Sequence, residues 1–196
     1  MPSTPPVVVG ISGASGAALA QRLLELLRER GRDAVVVSTA AGAVVWQQEQ
    51  GCPLKGWLAE NGWLSYAIAD IAAPIASGTF PTAGMVIVPC SMNTAAAVAH
   101  GLSGNLLERA ADVTLKEART LVVVPREAPL SQLHLENLLK LAQLGVRVIP
   151  PMPHFYAHPT TVAEVVDHIA GRVLVALGVD GALPPDQQYG TAVWTQ

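Results

Sequence analysis

The sequence contains few cysteines and few charged residues. Cys52 and Cys90 are the only cysteines among 196 residues, which is too few for a disulfide framework, and their spacing matches no metal site. Charged residues make up 14% of the chain and the formal net charge is −3, so the sequence has no general attraction for nucleic acid or for an anionic membrane surface. An anionic ligand would therefore be held by a few placed cations.

Long hydrophobic runs and a secretory leader are also missing. Residues 1–6 lack the basic region and the apolar stretch of a signal peptide, and the longest apolar runs have the length of a strand rather than of a membrane span. We therefore expect a cytoplasmic protein without a membrane segment. Hydrophobic residues, by contrast, make up 51% of the chain. This share indicates a sheet buried on both faces and apolar surface buried against other subunits.

Short β-branched segments alternate along the chain with longer amphipathic segments. The pattern predicts strands at 7–11, 34–37, 85–88, 121–124 and 146–149, helices at 17–30, 38–50, 94–100, 105–116, 131–144 and 162–177, and irregular connections over 51–83. Nearly continuous apolar strands that alternate with helices are typical of an α/β protein with a three-layer parallel sheet and helices on both faces. We expect one domain over 1–196, with a core at about 7–178 and a surface tail at 179–196.

Ligands of such sheets bind beyond the carboxyl ends of the strands, near the point where the strand order reverses. The residues at these positions are mostly small hydroxyl-bearing or chargeable ones, so the sequence predicts a site there. They are Ser12 to Gly16, Ser38 and Thr39, Cys90 to Thr94, Arg126 and Glu127, and His154 to Tyr156.

The first of these turns, between Gly10 and Gly16, offers small residues and a helix N-terminus, which suit an anion. It is not a P-loop, because no Lys-Ser or Lys-Thr pair follows its last glycine. Nor is it a dinucleotide turn, because two residues separate its first glycines and Ser38-Thr39 stands where an acid would bind the adenosine ribose. A mononucleotide such as FMN fits better. The alternative is a turn that needs glycine for packing alone.

The remaining candidates keep two interpretations each. Ser91 and Thr94 could meet a flavin or simply cap their helix. Arg126 can grip a phosphate and Glu127 can move a proton, unless the pair is a surface salt bridge.

Two more cations are ambiguous, and metal is not indicated. Lys116 suits the C-terminus of its helix. Arg172 flanks an apolar stripe and needs an anion nearby, which a ligand or a carboxylate of the chain could supply. The histidines show no paired spacing on one helix face, so no metal site is expected.

Taken together, the ordered motifs resemble the UbiX-type flavin prenyltransferases, members of the wider flavoprotein family that includes peptidyl-cysteine decarboxylases. The resemblance runs from about residue 7 to residue 178. The long ordered set is specific, whereas any one motif would be weak. The motifs are Gly10-Ile-Ser-Gly-Ala-Ser-Gly16, Ala76-Ser-Gly-Thr79, Val88-Pro-Cys-Ser-Met92, Asn105-Leu-Leu-Glu-Arg-Ala-Ala-Asp112, Leu115-Lys-Glu117, Val124-Pro-Arg-Glu-Ala-Pro129, His134-Leu-Glu-Asn-Leu138, Pro150-Pro151 and Phe155-Tyr156.

The resemblance implies a Rossmann-like, flavodoxin-like fold and a homododecamer. It implies a metal-independent transferase that joins dimethylallyl phosphate to N5 and C6 of reduced FMN, which is a substrate as well as a cofactor-like ligand. The prenylated FMN would go to a partner decarboxylase of the UbiD type. Whether the donor is the monophosphate or the diphosphate stays open.

The resemblance also implies roles for individual residues. Glu127 would be the acid/base, Lys116 would act on the leaving phosphate, Ser15 would assist proton movement, and Glu49 would be a second acid across a subunit interface. Arg109 would support the flavin or a subunit contact, and Trp46, Trp57, Trp63 and Phe155 are candidates for aromatic walls. The residues assigned to FMN are Gly13, Ala14, Ser15, Ser38, Ser91, Met92, Thr94 and Arg126, and those assigned to the prenyl phosphate are Lys116, Arg126, Tyr156 and Arg172.

Two alternatives to the prenyltransferase are kept. The first is an FMN-dependent oxidative decarboxylase of cysteine-derived carboxylates. Several prenyltransferases have another residue at the position of Asn93, and an asparagine there is similar to that of the decarboxylase branch. That branch, however, lacks the Pro-Arg-Glu and Phe-Tyr motifs, and its Met-Asn substrate clamp is not found here. A non-catalytic subunit that delivers flavin to a decarboxylase is the other.

Overall fold

The computed structural model describes residues 4–179, so the predicted surface tail lies outside the described residues from residue 180 onward. The strands form a single parallel sheet with the order β3-β2-β1-β4-β5-β6. Their bounds are β1 Val7–Ile11, β2 Ala34–Ser38, β3 Leu64–Tyr66, β4 Gly84–Cys90, β5 Leu121–Pro125 and β6 Arg147–Val148.

Helices cover both faces of the sheet, because alternate residues of each apolar strand point to opposite sides. Val7 and Val9 pack with the helices on one face, whereas Val8 packs with those on the other. The helices α1, α2, α3 and α7 lie on the first face and α4, α5 and α6 on the second. Their bounds are α1 Ala17–Glu29, α2 Ala40–Gln50, α3 Leu54–Glu60, α4 Met92–Ala99, α5 Leu106–Lys116, α6 Gln132–Gln143 and α7 Val162–Leu177. The predicted three-layer α/β fold is confirmed.

The prediction for residues 51–83 was wrong in part. This region contains α3, the short strand β3 and a single 3-10 turn, Pro74–Ala76. Strand β3 was missed because it has only three residues and two of them are exposed, so it carries no apolar run. It pairs with β2 from Val35–Leu64 to Val37–Tyr66, which extends the sheet by one strand.

The strand order places the carboxyl ends of β1 and β4 side by side. The chain builds outward from β1 through β2 to β3 and then returns to form β4 on the other side of β1. This reversal is the switch point at which open α/β sheets bind their ligands. Within residues 4–179, no helix is long and apolar enough to span a membrane, and no group of three or more histidine, cysteine or acidic side chains is placed to hold a metal ion.

Candidate active site

The turns after β1 and β4 are joined by the buried side chain of Ser12. Its hydroxyl donates a hydrogen bond to the Pro89 carbonyl at 3.0 Å and accepts one from the Ser91 amide at 2.7 Å. Ser12 therefore fixes the two turns relative to each other at the switch point. The sequence offered no signal for this role beyond the position of the serine directly after a strand.

Close packing explains some of the glycines in and around the first turn. A Cβ atom on Gly13 would lie 2.5 Å from the Ala41 side chain, and one on Gly42 would lie 2.6 Å from the Ile11 carbonyl oxygen. Gly16 has a φ of +126°, a conformation that favours glycine. The close approach of α2 to the first turn therefore requires glycine at positions 13 and 42.

The N-terminus of α1 binds a carboxylate of its own chain. Glu49, on the last turn of α2, accepts hydrogen bonds from the Gly16 amide at 2.9 Å and from the Ala17 amide at 2.7 Å. These are two of the amides that the sequence analysis offered to an anionic ligand. Glu49 makes these contacts within one chain, and its role as a second acid across a subunit interface stays a prediction.

Ser15 and Arg126 complete the surroundings of this carboxylate. Arg126 donates a hydrogen bond through Nε to the Ser15 carbonyl oxygen at 3.2 Å. Partial burial opposes the ionised form of Glu49, but hydrogen bonds from Ser15, Gly16 and Ala17, together with the charge of Arg126, lower its pKa below the ordinary value. Glu49 is therefore ionised at neutral pH. We call Ser15, Glu49, Ser91 and Arg126, which lie around the ends of β1, β4 and β5, the carboxyl-edge cluster.

The hydroxyls after β4 cap a helix, as the simpler interpretation of that turn proposed. The Ser91 oxygen accepts a hydrogen bond from the Thr94 amide at 3.3 Å, and the Ser91 hydroxyl lies 3.1 Å from the Thr94 hydroxyl. Met92 and Thr94 are buried, whereas Ser91 is half-buried. Burial raises the pKa of the Cys90 thiol to about 12, which leaves it protonated and unreactive at neutral pH.

Ser38 is the last residue of β2 and lies in register with Ile11, directly before the first turn. It lines a cavity of about 300 Å³ together with Lys55 and Tyr66. Because β2 is the neighbour of β1, this cavity opens on the same edge of the sheet as the carboxyl-edge cluster.

Arg126 and Glu127 are both exposed at the end of β5. Within residues 4–179 they do not bond to each other, because Arg126 bonds to Ser15 and Glu127 accepts a hydrogen bond from the Ala128 amide at 3.0 Å. The surface salt bridge offered as an alternative is therefore not formed. Glu127 stays a predicted acid/base with its carboxylate open to solvent.

Lys116 lies at the opposite edge of the sheet. It is the last residue of α5, pairs with Glu117, and lies beside Gly78, where a Cβ atom would come within 2.7 Å of the Lys116 Nζ. Arg109 donates to the Ala76 carbonyl and pairs with Asp112 nearby. We call Gly78, Lys116 and Glu117 the amino-edge cluster. Arg109 lies seven residues before Lys116 in α5, about 10 Å away along the helix axis.

The two clusters are separated by the length of a strand. The five residues of β5 run from the amino edge to Arg126, and at about 3.3 Å per residue they span roughly 16 Å. One chain alone therefore does not bring Lys116 to Arg126, although both were assigned to the same phosphate.

Tyr156 and Arg172 meet through His154, in the segment between β6 and α7. The His154 ring contacts the Tyr156 ring edge-on, with centroids 5.5 Å apart, and lies 3.4 Å from the ring of His168 on α7. Arg172 is exposed, and within the described residues it forms no ion pair with a carboxylate. An internal carboxylate, which was one of the two anions considered for Arg172, is therefore not found in residues 4–179.

Three of the four side chains predicted as aromatic walls pack in or against the hydrophobic core instead. Trp46 is fully buried and packs on Trp57 with ring centroids 5.0 Å apart. Trp63 packs on the same core, with the Arg28 guanidinium 4.3 Å above its ring. Trp57 and Trp63 are partly buried, and Trp63 also lines a cavity at the amino end of β2, whereas Phe155, beside Tyr156, is 78% exposed.

Comparison with known proteins identifies the family. Residues 1–174 match the model of the flavoprotein family. The flavin prenyltransferase UbiX of Halalkalibacterium halodurans is 45% identical over 184 residues, which cover 89% of each chain. A relative of the same name from Methanocaldococcus jannaschii is 41% identical over 90% of this chain and 95% of its own length.

Solved structures agree in fold. A dodecameric FMN-dependent UbiX-like decarboxylase from Escherichia coli O157:H7 is 44% identical, with a TM-score of 0.84 over 88% of this chain and 94% of that one. AnUbiX (PadA1) in complex with FMN and dimethylallyl pyrophosphate is 36% identical, with a TM-score of 0.87 over 92% of this chain and 96% of that one. The cysteine decarboxylase SpaF, at 19% identity and a TM-score of 0.59, shares the fold alone. The chain therefore belongs to the flavoprotein family and, within it, to the UbiX flavin prenyltransferases.

Proposed function

We propose that this protein is a flavin prenyltransferase that joins dimethylallyl phosphate to N5 and C6 of reduced FMN and supplies the prenylated FMN to a UbiD-type decarboxylase. The observation that carries the proposal is the carboxyl-edge cluster, an ionised Glu49 with Ser15 and Arg126 at the switch point of the sheet. It occurs in a chain whose relatives are flavin prenyltransferases and whose relative AnUbiX was solved with FMN and dimethylallyl pyrophosphate.

The residues at the carboxyl edge suit FMN. The Ser38 cavity, the Gly13 turn and Arg126 line one continuous edge of the sheet, with hydroxyls, backbone amides and a cation. When bound, reduced FMN supplies the nucleophilic N5 and C6 atoms. The Ser15 hydroxyl bonds to the Glu49 carboxylate, so a proton released near Ser15 can pass to Glu49. Glu127, at the end of β5, is the second acid/base.

The departing phosphate needs cations at the place where its charge develops. Arg126 is at the carboxyl edge, and Arg172 and Tyr156 lie together around His154. Lys116 is roughly a strand length away within the same chain. We propose that the amino-edge cluster of one copy completes the carboxyl-edge cluster of another, in an assembly such as that of the dodecameric relative. Arg109, on the same helix as Lys116, would support the flavin or the subunit contact.

The direct test is the mass of the flavin. Reduced FMN is incubated without oxygen with the protein and dimethylallyl phosphate, or with dimethylallyl diphosphate in a second arm, and the flavin is weighed by mass spectrometry. A flavin that gains one C5H8 unit supports the proposal, and the two arms identify the donor. Bound, reduced FMN that stays unmodified with both donors contradicts it.

A mixing experiment tests the shared site. Arg126→Ala and Lys116→Ala should each abolish prenyl transfer, but oligomers formed from equal amounts of both chains should recover about one quarter of wild-type activity, because each site then draws independently on two chains. Lys140→Ala, which changes an exposed lysine on α6, is the matched control. A mixture as inactive as its components would place the whole site in one chain.

The two alternatives are separated by other readouts. An oxidative decarboxylase would consume a cysteine-derived carboxylate with oxidised FMN, which a substrate-consumption assay would detect. The cysteine decarboxylase SpaF does not favour this alternative, because it shares only the fold with this chain. A flavin-delivering subunit would not need its acid/base. Glu127→Gln should therefore retain FMN and lose prenyl transfer, and unchanged transfer would overturn the role of Glu127.

We also infer the location of the protein in the cell and its domain organisation. We infer that it acts in the cytoplasm, since its two cysteines are free thiols. We further propose that residues 1–196 form a single flavoprotein domain, because the family match runs from residue 1 to residue 174 and the six strands form one sheet.

A further inference from the structure

The surroundings of His154 could accommodate an anion, and the groups described around its ring supply none. Its Nδ1 atom is buried and has no hydrogen-bond partner within the described residues. A buried polar nitrogen without a partner is unfavourable and uncommon. The groups that face the ring are Tyr156 from its own segment and His168 and Arg172 from α7. None of these is a carboxylate, so nothing among them balances positive charge.

We propose that His154 is a further residue of the phosphate site, which binds the phosphate of the prenyl donor together with Tyr156 and Arg172 and gains one proton as that phosphate binds. The inference rests on the proposed function for the nature of the donor. The geometry behind it is independent of that function: a buried imidazole nitrogen, a phenol and a guanidinium that forms no ion pair with any residue in 4–179 lie close to one another.

The electrostatics give the direction of the proton linkage. In the free protein, burial, the neighbouring His168 and the charge of Arg172 lower the pKa of His154 below its ordinary value. A phosphate dianion beside the ring favours the charged imidazolium, so binding raises that pKa. Between the free and the bound pKa the protein takes up a proton when the donor binds. The contribution of His154 to affinity is therefore greatest below its pKa in the free protein, falls as the pH rises from that pKa to the pKa of the bound state, and is lost above it.

The test is isothermal titration of the FMN-loaded wild-type protein with dimethylallyl phosphate, at several pH values between 6 and 8 and in two buffers of different ionisation enthalpy. The difference between the buffers gives the number of protons taken up. His154→Gln keeps a neutral hydrogen-bonding side chain but cannot gain a proton. The phosphate and the other histidines titrate in both proteins, so the difference between the proteins isolates His154.

Wild-type protein should take up more protons than His154→Gln and should bind the donor roughly ten- to a hundredfold more tightly at pH 6.5, since a hydrogen bond to a charged group is lost in the variant. His158→Asn is the matched control, because it changes a neighbouring exposed histidine and asparagine tolerates the positive φ of 49° there. It should behave as wild type. Equal proton uptake and equal affinity in wild type and His154→Gln would overturn the inference.

Failure of this inference differs from failure of the proposed function. Prenylated FMN made at the same rate and with the same pH profile by wild type and His154→Gln would remove His154 and leave the function standing. Proton uptake that depends on His154, without any prenylated FMN, would keep the phosphate site and remove the prenyl transfer. A wild-type protein that does not bind dimethylallyl phosphate would overturn both.

Discussion

Replacing Glu49 by glutamine removes the charge that the N-terminus of α1 binds in this structure. The Glu49 carboxylate accepts hydrogen bonds from the Gly16 and Ala17 amides, and Gly16, at the N-cap position, offers no side chain that could replace it. An N-terminal cap contributes about 1 kcal/mol and an anion at a helix N-terminus about 0.3–1 kcal/mol. Glu49 is exposed, so solvent screening reduces the charge contribution to the lower end of its range.

We expect Glu49→Gln to lower the free energy of unfolding by about 1 kcal/mol at pH 7, which corresponds to a fall in Tm of about 2–4 °C for a chain of this size. The loss depends on pH in a defined direction. Because the folded-state pKa of Glu49 lies below the unfolded-state value, its stabilisation is fully present above the ordinary glutamate pKa and is lost as the pH falls through the folded-state pKa. Wild type and Glu49→Gln should therefore converge in acid.

Thermal unfolding followed by circular dichroism at pH 7 and in the acid range, at one fixed protein concentration, measures this difference, since the Tm of an oligomer depends on concentration. Glu60→Gln is the matched control, because Glu60 is an exposed carboxylate at the end of α3. The reasoning is refuted if Glu49→Gln equals Glu60→Gln at pH 7. It is refuted as well if the loss stays the same in acid, where the carboxylate is protonated.

Two further substitutions test the turns around the switch point. Gly42→Ala places a Cβ atom 2.6 Å from the Ile11 carbonyl oxygen, so it should reduce the free energy of unfolding in urea by about 1–3 kcal/mol. Gly56→Ala, on α3, places a Cβ atom with no other atom within 4 Å, so it should increase that free energy by about 0.5–1 kcal/mol. Equal effects of the two would contradict the close approach of α2 to β1. Ser12→Ala leaves the Ser91 amide without its partner and should reduce stability by about 1–3 kcal/mol and weaken FMN binding in a flavin fluorescence titration. Ser103→Ala, at an exposed serine between α4 and α5, should change neither stability nor FMN binding. FMN affinity that is unaffected by Ser12→Ala would contradict the inference that Ser12 positions the two turns for FMN.

Much of the fold could be predicted from local patterns. The buried strands β1, β2, β4 and β5 are continuous apolar runs, and α1 and α5 carry clear apolar stripes, so each element is encoded within its own residues. The edge strand β3 lacks that signal, because an exposed edge strand gains its stability from backbone pairing with β2 rather than from its side chains.

The candidate site was predicted less completely. The rule that ligands bind at the carboxyl ends of parallel strands located Ser15, Ser91 and Arg126 correctly at one edge of the sheet. The same reasoning could not tell that Glu49 binds at the N-terminus of α1, because residues 33 apart in the chain meet there through the packing of α2. Nor could it find the contact between His154 and His168, which depends on how the segment after β6 lies against α7.

The sequence by itself determined the buried strands of the sheet, the edge at which we propose the ligand site and, through its ordered motifs, the family. These properties follow from residue periodicity and from motifs of neighbouring residues, which are local in the chain. Only the tertiary structure decided that the amide groups at the start of α1 already bind Glu49 and that Lys116 lies at the far edge from Arg126. Distances between separate segments arise from packing, so residues assigned to one phosphate from their motifs lie at opposite edges of the sheet within one chain, which is why we propose that a second copy completes the site.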